Sequence, residues 1–561
     1  MIIDANDLPE TEVLSADICI VGAGAVGIAM ALDLIGSGLE VLLLEAGGFD
    51  REEDTQSLYV GQVADVAMHS PPDTYRERRL GGSTTTWGGR SMPFDPIDFE
   101  KRDYIAHSGW PISRADLDPF YPEANRISEA GRFAYTIETA FDHPRKAMIE
   151  GFASDNFTTN TLERFSCPTD FGRRYRHKLE AAANIRVLLH ANVVHIALDS
   201  LGGRVDRLQI ATLKGRRLTV RAGHVVLANG GLEATRLLLA SRDVQDRGIG
   251  NQHDLVGRFY MCHVAGTIGA IQFNRSVWNG YDIADEGTYC RRRLALRPEA
   301  QRSHGVGNVI GRLHHPRITD PAHRNGVLSL LYLARMFIPY EYGKRLHGGV
   351  DVDFPTRLRH LRNVLTDIPD TVAFMLHLLR DRRLAERKFP SIVIRSKAHL
   401  YSLDFHAEQE PNPASRVSLT TETDALGLPR LMIDWRYTDR DIATVSTMLA
   451  LLAGDIARSG VGRFDYAPDS VEQEMTRYGA YGGHHIGTTR MGATAREGVV
   501  DANCTVHGLA NLHIAAASVF PTSSQANPTL TVIAMGLRLA RHLKDRAARP
   551  LSARSPEGAL S

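Results

Sequence analysis

The sequence is poor in cysteine, carries no net charge and has no long apolar run, and each shortage removes a class of function. Its five cysteines, Cys19, Cys167, Cys262, Cys290 and Cys504, are odd in number, far apart and never in C-x-x-C spacing, so a zinc or redox site built on them is not expected and they read as reduced or buried. Sixty-five basic residues balance sixty-five acidic ones, which leaves no global field to draw in nucleic acid. No stretch reaches the roughly 18 uninterrupted apolar residues of a spanning helix. The first residues, Met1 to Ala16, carry Asp4, Asp7, Glu10 and Glu12 and neither a basic start nor an apolar core. A secretory leader is therefore not expected, and a cytoplasmic location is. No G-x-S-x-G elbow and no P-loop glycine–lysine pattern supports a hydrolase or a nucleotide hydrolase. What remains is ordinary globular composition, 43% hydrophobic and 23% charged over 561 residues, a length that predicts two domains.

The clearest positive signal lies near the start. Asp17 to Val21 reads as a short apolar strand, Gly22-Ala23-Gly24-Ala25-Val26-Gly27 follows at once, and Ile28 to Ile35 continues as a helix. In this order Gly22 permits the tight turn, Gly24 lets the backbone approach a pyrophosphate, and Gly27 lets helix and strand pack closely. A second strand, Glu40 to Leu44, ends in Glu45, where a carboxylate can accept hydrogen bonds from a ribose. The complete unit predicts a bound dinucleotide, and both FAD and NAD suit it.

Four further segments carry a family resemblance. They are the loop Leu80 to Gly89 with Ser108-Gly109-Trp110-Pro111 after it, Leu227-Ala228-Asn229-Gly230-Gly231, Gly483-His484-His485-Ile486-Gly487-Thr488, and Ser518 to Pro521 followed by Gln525-Ala526-Asn527-Pro528-Thr529-Leu530. Together with Gly22 to Glu45 they closely resemble the glucose-methanol-choline (GMC) oxidoreductases. Within that family they are most similar to the sugar-oxidising branch that includes pyranose 2-oxidase and the flavoprotein subunits of fructose and gluconate dehydrogenases. The resemblance implies an α/β fold: a Rossmann-like FAD-binding domain and a discontinuous α+β substrate-binding domain on an antiparallel sheet. It implies FAD as cofactor, with Gly22, Gly24, Gly27, Glu45, Gly82, Ser83, Trp87, Val193, Ala517, Pro528 and Thr529 as its contacts, and it implies oxidation of an alcohol carbon, in a sugar, glycoside or polyol. Pyranose 2-oxidase has a flavin-linked histidine just before the loop tryptophan. Here Thr86 takes that place, so a dissociable FAD is expected.

Flavin oxidation of an alcohol needs an acceptor for the hydroxyl proton, and a neutral imidazole can serve near neutral pH. By resemblance His484 is that base and Asn527 the partner that holds the substrate oxygen. Read without the resemblance, His484 is a loop histidine. Asn527, followed by Pro528 and an apolar run, also reads as a helix N-cap, which would occupy its side-chain oxygen and leave its NH2 free. His485 has no assigned role. A metal held by His484 and His485 is not expected, since adjacent side chains diverge. Val193 reads nearly as well as a core residue, and the Gly82 to Trp87 loop as a surface turn.

By the same reading the FAD-binding domain comprises 1–95, 172–260 and 483–546 and the substrate-binding domain 96–171 and 261–482, with 547–561 a disordered tail. In the middle, Leu400 to Phe405 and Ser415 to Leu419 alternate like strands. The polar stretch Glu408 to Pro413 between them reads as a surface connection or part of the substrate entrance. Residues 356–388 interleave arginines with Leu361, Leu365, Phe374, Met375, Leu378 and Leu379. This predicts two amphipathic helices broken at Pro369, either packed with a basic solvated face or touching a membrane or partner. The electron acceptor (oxygen, a quinone or a cytochrome subunit) is not encoded in these motifs, and export beside a leader-bearing partner is compatible with them. A non-catalytic flavin-binding or assembly protein, and an oxidase of a non-sugar alcohol, are the competing readings.

Overall fold

The structure is a computed structural model that describes residues 1–334, 353–385, 387–390, 393–394, 396, 398–477 and 479–548. The strand Val13–Val21, apolar and buried over its second half, stands at the centre of an eight-stranded sheet. Val41–Leu44, Ile185–Leu189 and Ile2–Asp4 follow in parallel on one side. On the other side Arg217–Leu227 pairs parallel with Val13–Val21, and Leu512–Ile514 pairs parallel with Arg217–Leu227. Val205–Ala211 and Asn192–Leu198 extend this side as antiparallel strands. Strands buried on both faces must be nearly all apolar, which is why Val41–Leu44 reads Val-Leu-Leu-Leu.

The helix Ala25–Asp33 starts directly after the first strand. The last described helix, Thr529–Ala548, lies against it: a Cβ on Gly536 would come within 2.5 Å of Val26 Cγ1, and Lys544 Nζ bonds Asp33 Oδ2 at 2.7 Å. The helix includes Ala547 and Ala548, so the expected disorder does not begin at residue 547; the rest of that tail lies outside the described residues.

A second sheet is antiparallel throughout. Its order is Gly462–Asp465, Met261–Phe273, Leu400–Ala407, Val309–His314, Leu294–Leu296 and Phe157–Thr158, with Tyr481–Ile486 also paired to Met261–Phe273. The helix Asp439–Arg458 covers one face through Val445, Met448, Leu449 and Leu452, which pack with Val309, Leu403 and Phe405. Two smaller sheets join distant segments: Arg90–Ser91 with Leu162–Phe165, Tyr289–Arg292 and Tyr281–Ile283, and Gln62–Val63 with Pro429–Asp434 and Arg416–Thr423.

Glu408 to Pro411 is neither a surface connection nor an entrance. These residues are buried, Glu408 is clasped by Arg102 through two hydrogen bonds of 2.8 and 2.5 Å, and Gln409 N donates to Ser523 Oγ at 2.9 Å. A polar loop can be buried when distant segments satisfy it.

Candidate active site

A cavity of about 1070 Å³ runs from the glycine-rich turn of the parallel sheet to the antiparallel sheet. Its size is just above the about 300–1,000 Å³ usual for small-molecule sites. At the dinucleotide end Gly22 takes φ +103°, and a side chain there would strike Asn229 Cα at 2.6 Å. A Cβ on Gly27 would lie 1.9 Å from Gly22 O, which is the close helix packing its position in the motif predicts. A Cβ on Gly24 would meet nothing within 4 Å, because it would project into the cavity over the first turn of Ala25–Asp33. An open cradle of this kind, beside unpaired helix N–H groups, suits a pyrophosphate. Glu45 is buried beyond it and accepts from Ala23 N and Gly47 N, each at 3.0 Å. Burial raises its pKa, and those two N–H groups with the Arg78 charge oppose the rise. Each oxygen keeps a lone pair for a ribose hydroxyl.

Of the residues assigned from the sequence, all but Gly27 line this cavity: Gly22, Gly24, Glu45, Gly82, Ser83, Trp87, Val193, His484, Ala517, Asn527, Pro528 and Thr529. Gly82 sits over Gly24, Ser83 Oγ donates to Tyr75 O at 3.4 Å, and Trp87 Nε1 is fixed by Thr169 O at 2.9 Å. The residues fit FAD. The open cradle at Gly24, the buried Glu45 and an Asn229 Oδ1 without a hydrogen-bond partner among the described residues all face the space it would fill.

At the other end Tyr481–Ile486 brings His484 to Asn527, Nε2 to Nδ2, at 3.2 Å. The amide donates, so Nε2 carries the lone pair and Nδ1 the proton, which is shared with His263 Nδ1 at 2.7 Å. His263 stacks on His406 with ring centroids 4.3 Å apart, and His406 Nδ1 donates to Gln525 O at 2.6 Å. Burial, helped by the Arg90 charge, lowers the His484 pKa to about 3, so the ring is neutral at physiological pH. The N-cap reading of Asn527 is not realised. Its Oδ1 has no partner among the described residues, and the helix starts two residues later at Thr529.

Three features were beyond the sequence reading. His263 and His406 stand on separate strands far from His484 in sequence, with no local signal of their role. Glu233 gathers Arg76 at 2.9 Å and Arg78 at 3.3 Å in the cavity wall. The third is a chain of polar groups behind His485. His69 Nδ1 donates to Ser70 O at 2.6 Å, so its Nε2 accepts from Tyr260 OH at 2.8 Å, and that oxygen in turn accepts from His485 Nδ1 at 2.7 Å. His485 Nε2 is thereby left as an acceptor, and it has no partner among the described residues although the side chain lines the cavity. Cys262 Sγ also reaches Tyr260 OH, at 3.4 Å.

Among the described residues these rings form two clusters with ligand-like spacing, His263 with His406 and His484, and His69 with Cys262 and His485. In the second, the Tyr260 hydroxyl stands where an ion would. In the first, His484 Nδ1 and His263 Nδ1 are hydrogen-bonded to each other at 2.7 Å and His406 Nδ1 to Gln525 O. Both are hydrogen-bonding geometries.

Comparison with known proteins decides the family. The model described as FAD dependent oxidoreductase matches residues 17–312, and the one described as GMC oxidoreductase matches residues 411–536. The chain belongs to the GMC branch of the FAD-dependent oxidoreductases. This GMC oxidoreductase is 26% identical to the 6'''-hydroxyparomomycin C oxidase of Streptomyces lividus over 95% of its own length and 93% of that protein's. It is 25% identical to the fructose dehydrogenase large subunit of Gluconobacter japonicus, over 94% and 98% of the two chains. Pyridoxine 4-oxidase from Mesorbium loti shares the fold, with a TM-score of 0.54, 18% identity and coverage of 94% and 98%. The GMC oxidoreductase is thus an FAD-dependent enzyme that oxidises alcohols.

Proposed function

We propose that this enzyme oxidises a secondary or primary hydroxyl of a sugar, glycoside or polyol, with His484 as base, Asn527 as the group that holds the substrate oxygen, and FAD bound without a covalent link. The observation that carries the reading is the His484–Asn527 pair, 3.2 Å apart in the wall of the cavity that also contains the Gly24 cradle. FAD, when bound there by Gly24, Glu45, Gly82 and Trp87, supplies a hydride acceptor. The chain supplies the rest. His484 Nε2 takes the hydroxyl proton as the C=O forms, and its ring is held by the bond from Nδ1 to His263. Asn527 Nδ2 is placed to donate to the oxygen as negative charge grows on it.

Arg90, Thr267, Arg291, His314 and Asp404 line the same cavity on the side of the antiparallel sheet. Such a dense set of donors and acceptors favours a polyhydroxylated substrate over an apolar alcohol. The hydroxyparomomycin oxidase and the fructose dehydrogenase subunit act, by their names, on carbohydrate compounds, which supports the same class. The latter name also supports a partner subunit as one route for electrons, beside oxygen and free quinone. For the cofactor, Thr86 lines the cavity where a covalent link would require a nucleophilic ring nitrogen, so acid precipitation is expected to release all the flavin into the supernatant.

The deciding experiment is anaerobic bleaching of the purified yellow protein by a panel of free sugars, glycosides, polyols and simple alcohols. Bleaching by a polyhydroxylated compound, with a carbonyl product identified by mass, is the expected result. Bleaching by apolar alcohols alone would refute the substrate class, and oxidised flavin throughout the panel would refute the catalytic reading. Following reoxidation of the bleached protein with oxygen, a soluble quinone or a cytochrome then identifies the acceptor.

A further inference from the structure

Residues 354–384 form two helices whose polar sides face inward. In the first, Phe354–Thr366, the buried residue is His360, bonded through Nδ1 to Ser329 Oγ at 3.0 Å, and Asn363 Nδ2 donates to Pro321 O at 2.9 Å. Asp367, at the junction, accepts from Gly326 N at 2.9 Å. The buried residue of the second helix, Ile368–Leu378, is Thr371. These contacts seat the pair on the helix Gly326–Leu333.

Phe374 packs inward against the cluster of Val327, Leu328 and Tyr332, but most of the other apolar side chains point the other way. Leu358, Leu361 and Leu365 recur at helical spacing on the first helix and Val372, Met375 and Leu376 on the second, and each leaves between 46 and 61% of its surface in solvent. Burying an apolar stripe is the ordinary reason for an amphipathic helix to pack. Here the stripe is outward, and contiguous exposed apolar surface on that scale marks a binding face.

We propose that this two-helix face docks on an anionic lipid bilayer. The composition of the two helices favours a bilayer over a protein. The first helix carries the exposed Arg357, Arg359 and Arg362 and no acidic residue within it, and the exposed Arg383 follows the second. Arginine beside an outward leucine stripe is the composition of helices that lie in the headgroup plane. Among the described residues no helix is long and apolar enough to cross a membrane, so attachment through this face is peripheral. The face also adjoins the cavity, which is lined by Leu331 from the supporting helix and by Arg382 and Phe389 beyond the second.

The test is flotation of the FAD-loaded protein with vesicles of phosphatidylcholine alone and of phosphatidylcholine with phosphatidylglycerol. Floating with the anionic vesicles, much less with the neutral ones, is the expected result. Leu361→Glu with Leu365→Glu, and separately Met375→Glu with Leu376→Glu, should abolish flotation while oxidation of a substrate with a soluble dye stays at the wild-type rate. Replacing Arg357, Arg359 and Arg362 by glutamine should weaken vesicle binding by about 100-fold at low salt. Wild-type protein that stays at the bottom with both vesicle types overturns the proposal. So does a solution dimer, seen by light scattering, that the glutamate pairs dissociate and that does not float.

Discussion

At the scale of single residues, the imidazole of His484 has both nitrogens assigned by its neighbours, so its chemistry can be tested by removing one atom group at a time. His484→Ala should keep FAD, seen as an unchanged flavin absorbance, and slow flavin reduction by at least about 100-fold, the usual contribution of a positioned base. Because burial and Arg90 bring its pKa down to about 3, Nε2 keeps its lone pair well below neutrality. The reduction rate at saturating substrate should therefore stay level from about pH 7.5 to about pH 5, and stopped-flow measurement showing a fall centred near 6.5, the ordinary imidazole value, would contradict the assignment. Tyr260→Phe tests the second chain of polar groups. It removes the shared oxygen between His69 and His485 and should cost about 1–3 kcal/mol in denaturant unfolding, because two buried ring nitrogens lose their partner.

At the scale of elements, the glycine-rich turn separates folding from binding. Gly24 faces open cavity and Gly27 faces the backbone of Gly22. Gly24→Val should therefore leave unfolding within about 0.5 kcal/mol of wild type and weaken FAD at least about tenfold by titration of the apoprotein, since its side chain fills the cradle. Gly27→Val should lose several kcal/mol, roughly the scale of a severe core clash, and express poorly.

This turn was legible in the sequence because each of its demands is local: a positive φ, a short approach, a carboxylate at the end of the next strand. So were His484 and Asn527, although only through resemblance. What was illegible is long-range. Nothing near Asn527 says that its oxygen will not cap the helix. Nothing near Glu408 says that Arg102 will bury it. The repeat of leucines and arginines in 354–384 fixes the existence of two faces and not which of them packs; in the structure most of the arginines are solvated and a leucine stripe lies exposed beside them.

At the scale of the whole molecule, buried histidines couple stability to pH. His263, His406, His485 and His513 are held well below 6.5 by burial, His69 and His323 are lowered to about 4, and His484 to about 3. In the unfolded chain these rings bind protons below about 6.5. Between that value and their folded values the unfolded state holds more protons, so this stability is fully present above about 6.5 and is lost as pH falls. Asp98 and Asp441, pushed up to about 7 by burial, act in the opposite sense, as do Glu45 and Glu410, raised by burial, and His190, raised against its burial by Glu52 and Asp4, but they are fewer than the lowered histidines. The melting temperature should fall by at least about 5 °C between about pH 7.5 and pH 5.5, a shift on the scale of a few kcal/mol. A flat or rising calorimetric profile over that interval would count against the histidine account.

The packing of Thr529–Ala548 on Ala25–Asp33 has a consequence for biosynthesis. A ribosome has released the phosphate-binding turn long before it makes the helix that packs behind it, and His484 and Asn527 emerge several hundred residues later. A nascent chain stalled before residue 529 should therefore fail to retain flavin, however long it is given.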